Sequence, residues 1–214
     1  MWRNQTDSFF FLKKDNTLAL FTTRREKGLI ERIGAKKKVY LLKQIHSNRI
    51  IDIDKEDADV GDGLVTGHQN IFIGVKVADC LPIYFLGKDR VGIAHAGWRG
   101  TLNKIVHNML EKFEEEPCYA LASCIGPCCY EVGGELRERF KKDFPEEVFI
   151  VKDGKFFLDL KAANRFLLKG LKEMASLDLC TKCYPSLFYS YRGEGGIIGS
   201  NYALLGMVDM NNIL

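Results

Sequence analysis

Residues 77–101 constrain this chain more than any other stretch: VADCLPIYFLGKDRVGIAHAGWRGT. Two β-rich apolar runs, 81–86 and 91–94, flank Gly87-Lys88-Asp89-Arg90, which is the pattern of a β-hairpin. Cys80 stands just before the first run and His95 just after the second. A two-residue loop at Lys88-Asp89 pairs positions summing to 177 and sets His95 opposite Pro82. A four-residue loop over 86–89 sums to 175 and sets His95 opposite Cys80. On either count thiol and imidazole meet near one end of one strand pair, where facing Cβ atoms lie about 5 Å apart. Such a pair can belong to a metal site, to a nucleophile with its base, or to plain packing.

The flanking elements are readable in order. Residues 8–13 and 17–22 form an opening hairpin about Lys14-Asp15-Asn16, and a short helix lies around 29–33. Strands are expected over 39–45, 49–53, 63–66 and 71–77, with His46 just past the first of them. Gly97-Trp98-Arg99-Gly100 reads as a tight turn and Thr101 as the N-cap of a helix over 102–113. A buried strand at 119–125, a helix at 134–142 and a hairpin of 148–151 with 155–158 follow. Asp159 caps a long helix over 160–175, Gly193–Gly196 is a loop, and 202–208 is a last strand. Strands outnumber helices and come mostly as hairpins. The expected class is therefore α+β, with mixed, largely antiparallel sheets flanked by helices.

Among 214 residues, 46% are hydrophobic and 28% charged, with a net charge of +3. These values fit one globular unit and exclude an extended polyanion-binding surface, so nucleic acid is not an expected partner. No apolar run approaches the ~20 residues of a membrane helix, and no secretory leader is visible. A cytoplasmic protein without membrane contact is the expectation. Seven cysteines, an odd number with two adjacent, do not form a small disulfide framework. They are read as reduced thiols.

Four groupings could carry chemistry. Cys80, His95 and His46 offer a thiolate and two imidazoles, a donor set suited to zinc or copper with one position left open. The same Cys80 and His95, with Asp62 or Asp79 orienting the imidazole, equally make a metal-free nucleophile and base. Arg24, Gln44, Asn48, Asp62 and Arg99 form a polar set fit for phosphate or carboxylate. Cys180-Thr181-Lys182-Cys183 is a lone C-x-x-C without a second half, read as structural, with the adjacent Cys128-Cys129 set apart from it.

Several segments together resemble one family. They are Lys43-Gln44-Ile45-His46-Ser47, Asp62-Gly63-Leu64-Val65-Thr66, Ala78-Asp79-Cys80-Leu81-Pro82 and Ala94-His95-Ala96-Gly97-Trp98-Arg99-Gly100-Thr101. Ile125-Gly126-Pro127, Tyr130-Glu131-Val132-Gly133, Ser190-Tyr191-Arg192 and Phe21-Thr22-Thr23-Arg24 add to them. Their order and spacing resemble the YfiH/YlmD-type laccase-domain family of purine nucleoside phosphorylases. Arg25-Glu26-Lys27-Gly28 after Arg24, and Ser200 after Gly199, depart from its pattern.

The resemblance implies a single α+β catalytic domain over 1–214, with a fold also like that of cytotoxic-necrotizing-factor deamidases. It implies zinc on His46, Cys80 and His95, with copper a lesser candidate, and catalytic roles for these three and Asp62. Arg24, Gln44, Asn48 and Arg99 are the expected substrate contacts. The implied activity is phosphorolysis of adenosine, inosine, guanosine and methylthioadenosine to base and ribose 1-phosphate, with adenosine deamination beside it. A metal-free Cys/His hydrolase or amidase that edits peptidoglycan precursors, and a copper polyphenol oxidase, are the competing activities. Nucleosides and phosphate are the expected partners, and the chain is expected as a monomer or small homo-oligomer.

Overall fold

A computed structural model describes residues 1–5 and 7–208; the last six residues of the expected domain lie outside the described set. The elements in order are β1 (Arg3–Gln5), β2 (Phe9–Lys14), β3 (Thr17–Thr22), α1 (Leu29–Gly34), β4 (Lys38–Leu41), β5 (Ile50–Asp52), β6 (Gly63–Thr66) and β7 (Ile71–Val77). Next come β8 (Leu81–Leu86), β9 (Val91–Ala96), α2 (Trp98–Leu102), α3 (Ile105–Leu110), β10 (Cys118–Leu121), β11 (Glu131–Val132) and α4 (Gly134–Phe140). The chain continues through β12 (Phe149–Lys152), β13 (Lys155–Leu158), α5 (Leu160–Leu167), β14 (Glu173–Ser176), α6 (Tyr191–Glu194) and β15 (Asn201–Met207).

Two six-stranded sheets dominate, ordered β1-β2-β3-β15-β7-β4 and β14-β10-β8-β9-β6-β5. A small sheet, β11-β13-β12, stands apart. Pairing is antiparallel except at β4·β7, β5·β6 and β10·β14. The molecule is thus α+β with largely antiparallel sheets, as its hairpin-rich sequence leads one to expect.

The alternation of side chains explains how the layers stack. On β8, Leu81, Ile83 and Phe85 join a core with Ile105, Met109 and Leu160 of the helices. Tyr84 and Leu86 point the other way and meet Phe21, Val75 and Leu205 of the first sheet. Because β8 is covered on both faces, its apolar run is unbroken rather than alternating. Each such side chain contributes about 1.5–3 kcal/mol by leaving water. The far face of the first sheet carries Phe9, Leu20, Phe72 and Leu204, covered by Leu29 and Ile33 of α1. Two polar bonds pin the sheets together: Tyr84 Oη donates to Leu20 O at 2.7 Å, and Trp2 Nε1 to Leu121 O at 3.0 Å.

The β8–β9 hairpin takes the two-residue loop. Leu86 faces Val91, Pro82 faces His95, and Gly87 N–H donates to Arg90 O at 3.0 Å. Elsewhere the chain departs from simple periodicity. The helix expected over 102–113 begins at Trp98, and Lys104 breaks it with a left-handed φ of 58°. Thr101 lies buried inside α2, where its Oγ1 accepts from Asn164 Nδ2 at 2.9 Å, and so is no N-cap. Asp159 does cap α5, accepting from Ala162 N–H at 3.0 Å. That helix stops at Leu167, however, and Glu173–Ser176 is a strand beside β10. The strand expected over 39–45 ends at Leu41, and the loop at 193 begins as the short helix α6. No helix among the described residues is long and apolar enough to cross a membrane.

Candidate metal centre and cavity

His95 sits on β9 on the face turned toward the first sheet, with Ile93 and Val91. Pro82 faces it, and Cys80 lies two residues further along the same face of the partner strand. Continuing the register sets Cys80 opposite Gly97. A Cβ there would lie 2.8 Å from the Cys80 sulfur, so the missing side chain makes room for the thiol. The third group arrives from the first sheet. β4 follows β7 only as far as Leu41 opposite Gly74. Beyond that the Gln44 side chain replaces the backbone: its Nε2 donates to Lys76 O at 2.9 Å and its Oε1 accepts Lys76 N–H at 2.7 Å. The main chain is thereby freed to turn inward at His46, whose φ is 59°.

One donor atom each from His46, Cys80 and His95 lies within 4.8 Å of the others. The two imidazole centroids are 4.9 Å apart, at 69°. Behind them Asp62 is fully buried. Its carboxylate accepts from His95 Nδ1 at 2.9 Å, from the N–H groups of His46 and Ser47 at 2.9 and 2.6 Å, and from Ser47 Oγ at 2.7 Å. This bond assigns the proton to Nδ1 and leaves Nε2 of His95 free to ligate. Asp62 is not among the residues that line the cavity described below.

The electrostatics follow from this arrangement. Burial opposes charge on Asp62, yet the bonds from His95 and Ser47 outweigh it and hold the carboxyl at about 2. Burial likewise opposes the Cys80 thiolate, but the charge of His95 and hydrogen bonds from His46 and His95 bring the thiol down to about 6. His95 is in turn driven up to about 9, burial being overcome by Cys80 and Asp62. Without metal the site is a thiolate–imidazolium pair braced by a carboxylate. A soft thiolate, two imidazoles and a carboxylate behind one of them also fit zinc.

That cavity holds about 720 Å³ between the parting ends of the two sheets. His46, Cys80 and His95 form its floor, and Lys43, Lys76, Arg99 and Arg192 line its walls. Asp79 is the only carboxylate among the described lining residues. Its oxygens are committed to Thr181 Oγ1 at 2.6 Å and Arg192 N–H at 2.7 Å. Trp98, Tyr130 and Tyr191 supply flat apolar faces. The Arg99 guanidinium stacks on Trp98 at 4.4 Å and makes no hydrogen bond or ion pair among the described residues.

Of the expected substrate contacts, Gln44 and Arg99 line this cavity, while Arg24 and Asn48 do not. Arg24 bonds Pro185 O at 2.6 Å, pairs with Glu194 at 2.9 Å and stacks on Tyr189. It ties α6 to the start of the chain. Asn48 donates to Asn103 O at 2.9 Å, behind α2. Gln44 spends both amide groups on Lys76, as described above. Lys43, Lys76, Tyr130 and Arg192 escape sequence reasoning as site residues. Lys76 had a signal, as a lone charge inside the apolar strand 71–77; Lys43 and Tyr130 come from connecting segments and Arg192 from α6, which only the fold converges.

A second group of thiols forms nearby. Cys128, Cys129, Cys180 and Cys183 bring their sulfurs within 4.8 Å of one another. The C-x-x-C is thus not alone, and the adjacent pair expected to stand apart from it completes the group.

Residues 13–208 match the family described as multi-copper polyphenol oxidoreductase laccase. The chain is 38% identical over 167 residues to a purine nucleoside phosphorylase of Aquifex aeolicus, covering 74% of this chain and 78% of that protein. A purine nucleoside phosphorylase of Clostridium acetobutylicum is 30% identical over 230 residues, covering 94% of this chain and 97% of that one. The crystal structure of YlmD from Geobacillus stearothermophilus superposes with a TM-score of 0.84 at 25% identity, covering 97% of this chain and 99% of that chain.

Proposed function

Because the chain belongs to the multi-copper polyphenol oxidoreductase laccase family, we propose that it is a zinc-dependent purine nucleoside phosphorylase acting as one catalytic domain. It takes adenosine, inosine, guanosine and methylthioadenosine, exchanges the glycosidic bond for phosphate and releases base and ribose 1-phosphate. Deamination of adenosine is a second reaction of the same cavity. The names of the relatives support this reading. The observation that carries it is a cationic cavity whose floor is a thiolate and two imidazoles.

His46, Cys80 and His95 would hold the ion, which would supply Lewis acidity beside the cavity. Asp62 fixes the tautomer of His95 and keeps its Nε2 on the cavity side. Phosphate seats on Arg99 with help from Lys43, Lys76 and Arg192, which gather negative charge without a free carboxylate to oppose it. A phosphate oxygen attacks C1′ of the sugar while the bond from C1′ to the purine nitrogen breaks and its electron pair leaves with the base. Trp98 and Tyr130 offer faces against which the flat base can stack. Positioning two reactants in one cavity is a large share of the expected acceleration.

A second reading has its own observation. Cys80, His95 and Asp62 stand in the order of nucleophile, base and orienting carboxylate. They would serve a metal-free hydrolase or amidase. A full laccase centre has less support, since His68 pairs with Asp54 and His107 lies against Leu167 O, both away from the cavity. Two imidazoles do not furnish the ligands of a multicopper centre.

Turnover of purine nucleosides, measured with and without phosphate and with and without chelator, tests the proposal. Base release that needs phosphate, stops on chelation and returns with zinc is the expected result. Release that ignores both phosphate and chelator but stops on alkylation of Cys80 would replace it with the hydrolase reading.

A further inference from the structure

The four clustered cysteines lie outside the cavity and take no part in the chemistry above. They come from two turns. Gly126 O accepts the N–H groups of Cys129 and Tyr130 at 2.9 and 3.0 Å, closing the turn that carries Cys128 and Cys129. Cys180 O accepts Tyr184 N–H at 3.2 Å, closing the turn of the C-x-x-C. An isolated bridge between Cys124 and Cys180 brings the turns side by side.

The spacing of the sulfurs is that of ligands. Cys183 lies 3.6 Å from the Cys128 sulfur and 3.4 Å from that of Cys129. With zinc–sulfur bonds of about 2.3 Å, the edge of a tetrahedral tetrathiolate is about 3.8 Å. The Cys180 sulfur also accepts Gly126 N–H at 3.2 Å, the kind of outer bond that steadies a thiolate ligand. Cysteines that merely pack as small apolar groups are buried; Cys128 and Cys183 are exposed. All seven cysteines are free thiols, so no covalent bridge explains the group.

We propose that Cys128, Cys129, Cys180 and Cys183 form a second, structural zinc site that braces the floor of the cavity from behind. On binding, each of the four thiols gives its proton to solvent as its sulfur bonds the ion, and nothing is oxidised or reduced. The brace runs through Thr181, which lies between two of the ligands. Thr181 is fully buried, and its hydroxyl donates to Asp79 at 2.6 Å. Asp79 immediately precedes Cys80, holds a strained φ of 98°, and accepts Arg192 N–H through its other oxygen. An ion on the turns at 126–129 and 180–183 thus fixes both Cys80 and Arg192 without touching substrate.

Metal content of the whole chain and of two variants tests this. The wild type is expected to carry two zinc ions, and the His46→Ala/Cys80→Ala/His95→Ala variant one. Cys180→Ser/Cys183→Ser is also expected to keep one. Cobalt exchanged into the triple-alanine variant should give strong sulfur-to-metal charge-transfer bands with tetrahedral ligand-field bands. Chelation of that variant should speed amide exchange at Thr181 and Arg192. A triple-alanine variant that takes up no metal, that carries acid-labile sulfide with iron, or whose four thiols are recovered as disulfides overturns the zinc site. Unchanged exchange at Thr181 and Arg192 overturns the brace. If that variant does not fold, cobalt titration of the wild type decides: a second equivalent with tetrathiolate bands supports the site, and a single equivalent overturns it.

Discussion

His95 Nδ1 and the Asp62 carboxylate are 2.9 Å apart, and that same carboxylate receives the backbone N–H of His46. One buried group therefore positions two of the three candidate ligands. Asp62→Asn would keep the shape and turn an NH2 toward donors. Zinc affinity is expected to fall about 10–100-fold, the usual cost of losing such a partner. Left-over donors should also lower the stability of the zinc-free protein by about 1–3 kcal/mol. Competition with a chromophoric chelator and urea unfolding check these two effects; an unchanged affinity would remove Asp62 from the site.

Cys80 should betray its neighbours when the metal is stripped. The thiolate fraction rises with pH through the thiol pKa, which lies at about 6 here instead of the ordinary ~8.5. Alkylation of Cys80 in chelated protein is thus expected to reach half its maximal rate near pH 6. His95→Gln removes the charge that lowers the pKa, and the midpoint should move upward. Zinc should block the reaction near neutral pH, and the block should weaken toward acid pH as protons compete for its ligands. Peptide mass mapping after timed alkylation reads all three.

Gly97→Ala separates steric from backbone effects. Gly97 has φ −73° and ψ 176°, which alanine adopts freely, so no strain arises in the chain. The new Cβ would instead meet the Cys80 sulfur at 2.8 Å. Loss of zinc from a protein with unchanged circular dichroism is the expected pattern. Full zinc occupancy would mean the thiol has room to shift.

Two arginines that look alike in sequence should behave differently. Arg99→Ala removes an uncommitted cation from the cavity wall, and hydrogen bonds to a charged group are worth about 1.5–3 kcal/mol. A rise of roughly ten- to a hundredfold in KM for phosphate, with little change in thermal midpoint, is expected. Arg24→Ala breaks the ties to Pro185, Glu194 and Tyr189. Its main effect should be a lower melting temperature. Steady-state kinetics against phosphate and a thermal scan of both variants check the contrast.

The parts of the fold visible in the sequence are those written in local chemistry. The β8–β9 hairpin follows from two apolar runs and a Gly-Lys-Asp turn, and the cap at Asp159 from its position before a helical stripe. Lys104 has nothing in its chemistry that announces a left-handed residue, so the break between α2 and α3 was not readable. Glu173–Ser176 contains good helix formers, yet pairing with β10 makes it a strand, and tertiary context overrides propensity. The same holds at the site. Cys80 and His95 meet through a local turn. Arg24 and Asn48 meet partners distant in sequence, Pro185 and Asn103, which no local pattern discloses. Cys128 and Cys180 are joined by strands far apart in sequence, beyond the reach of any spacing rule.

β15 lies between β3 and β7 at the centre of the first sheet. A chain interrupted just before Asn201 already contains every residue that lines the cavity and every cysteine and histidine discussed above. It lacks the strand that joins the opening hairpin to β7, the element leading directly into Asp79 and Cys80. During synthesis the ligands are therefore all present before they can be aligned, and the competence of the site is decided by a segment that contributes nothing to its chemistry.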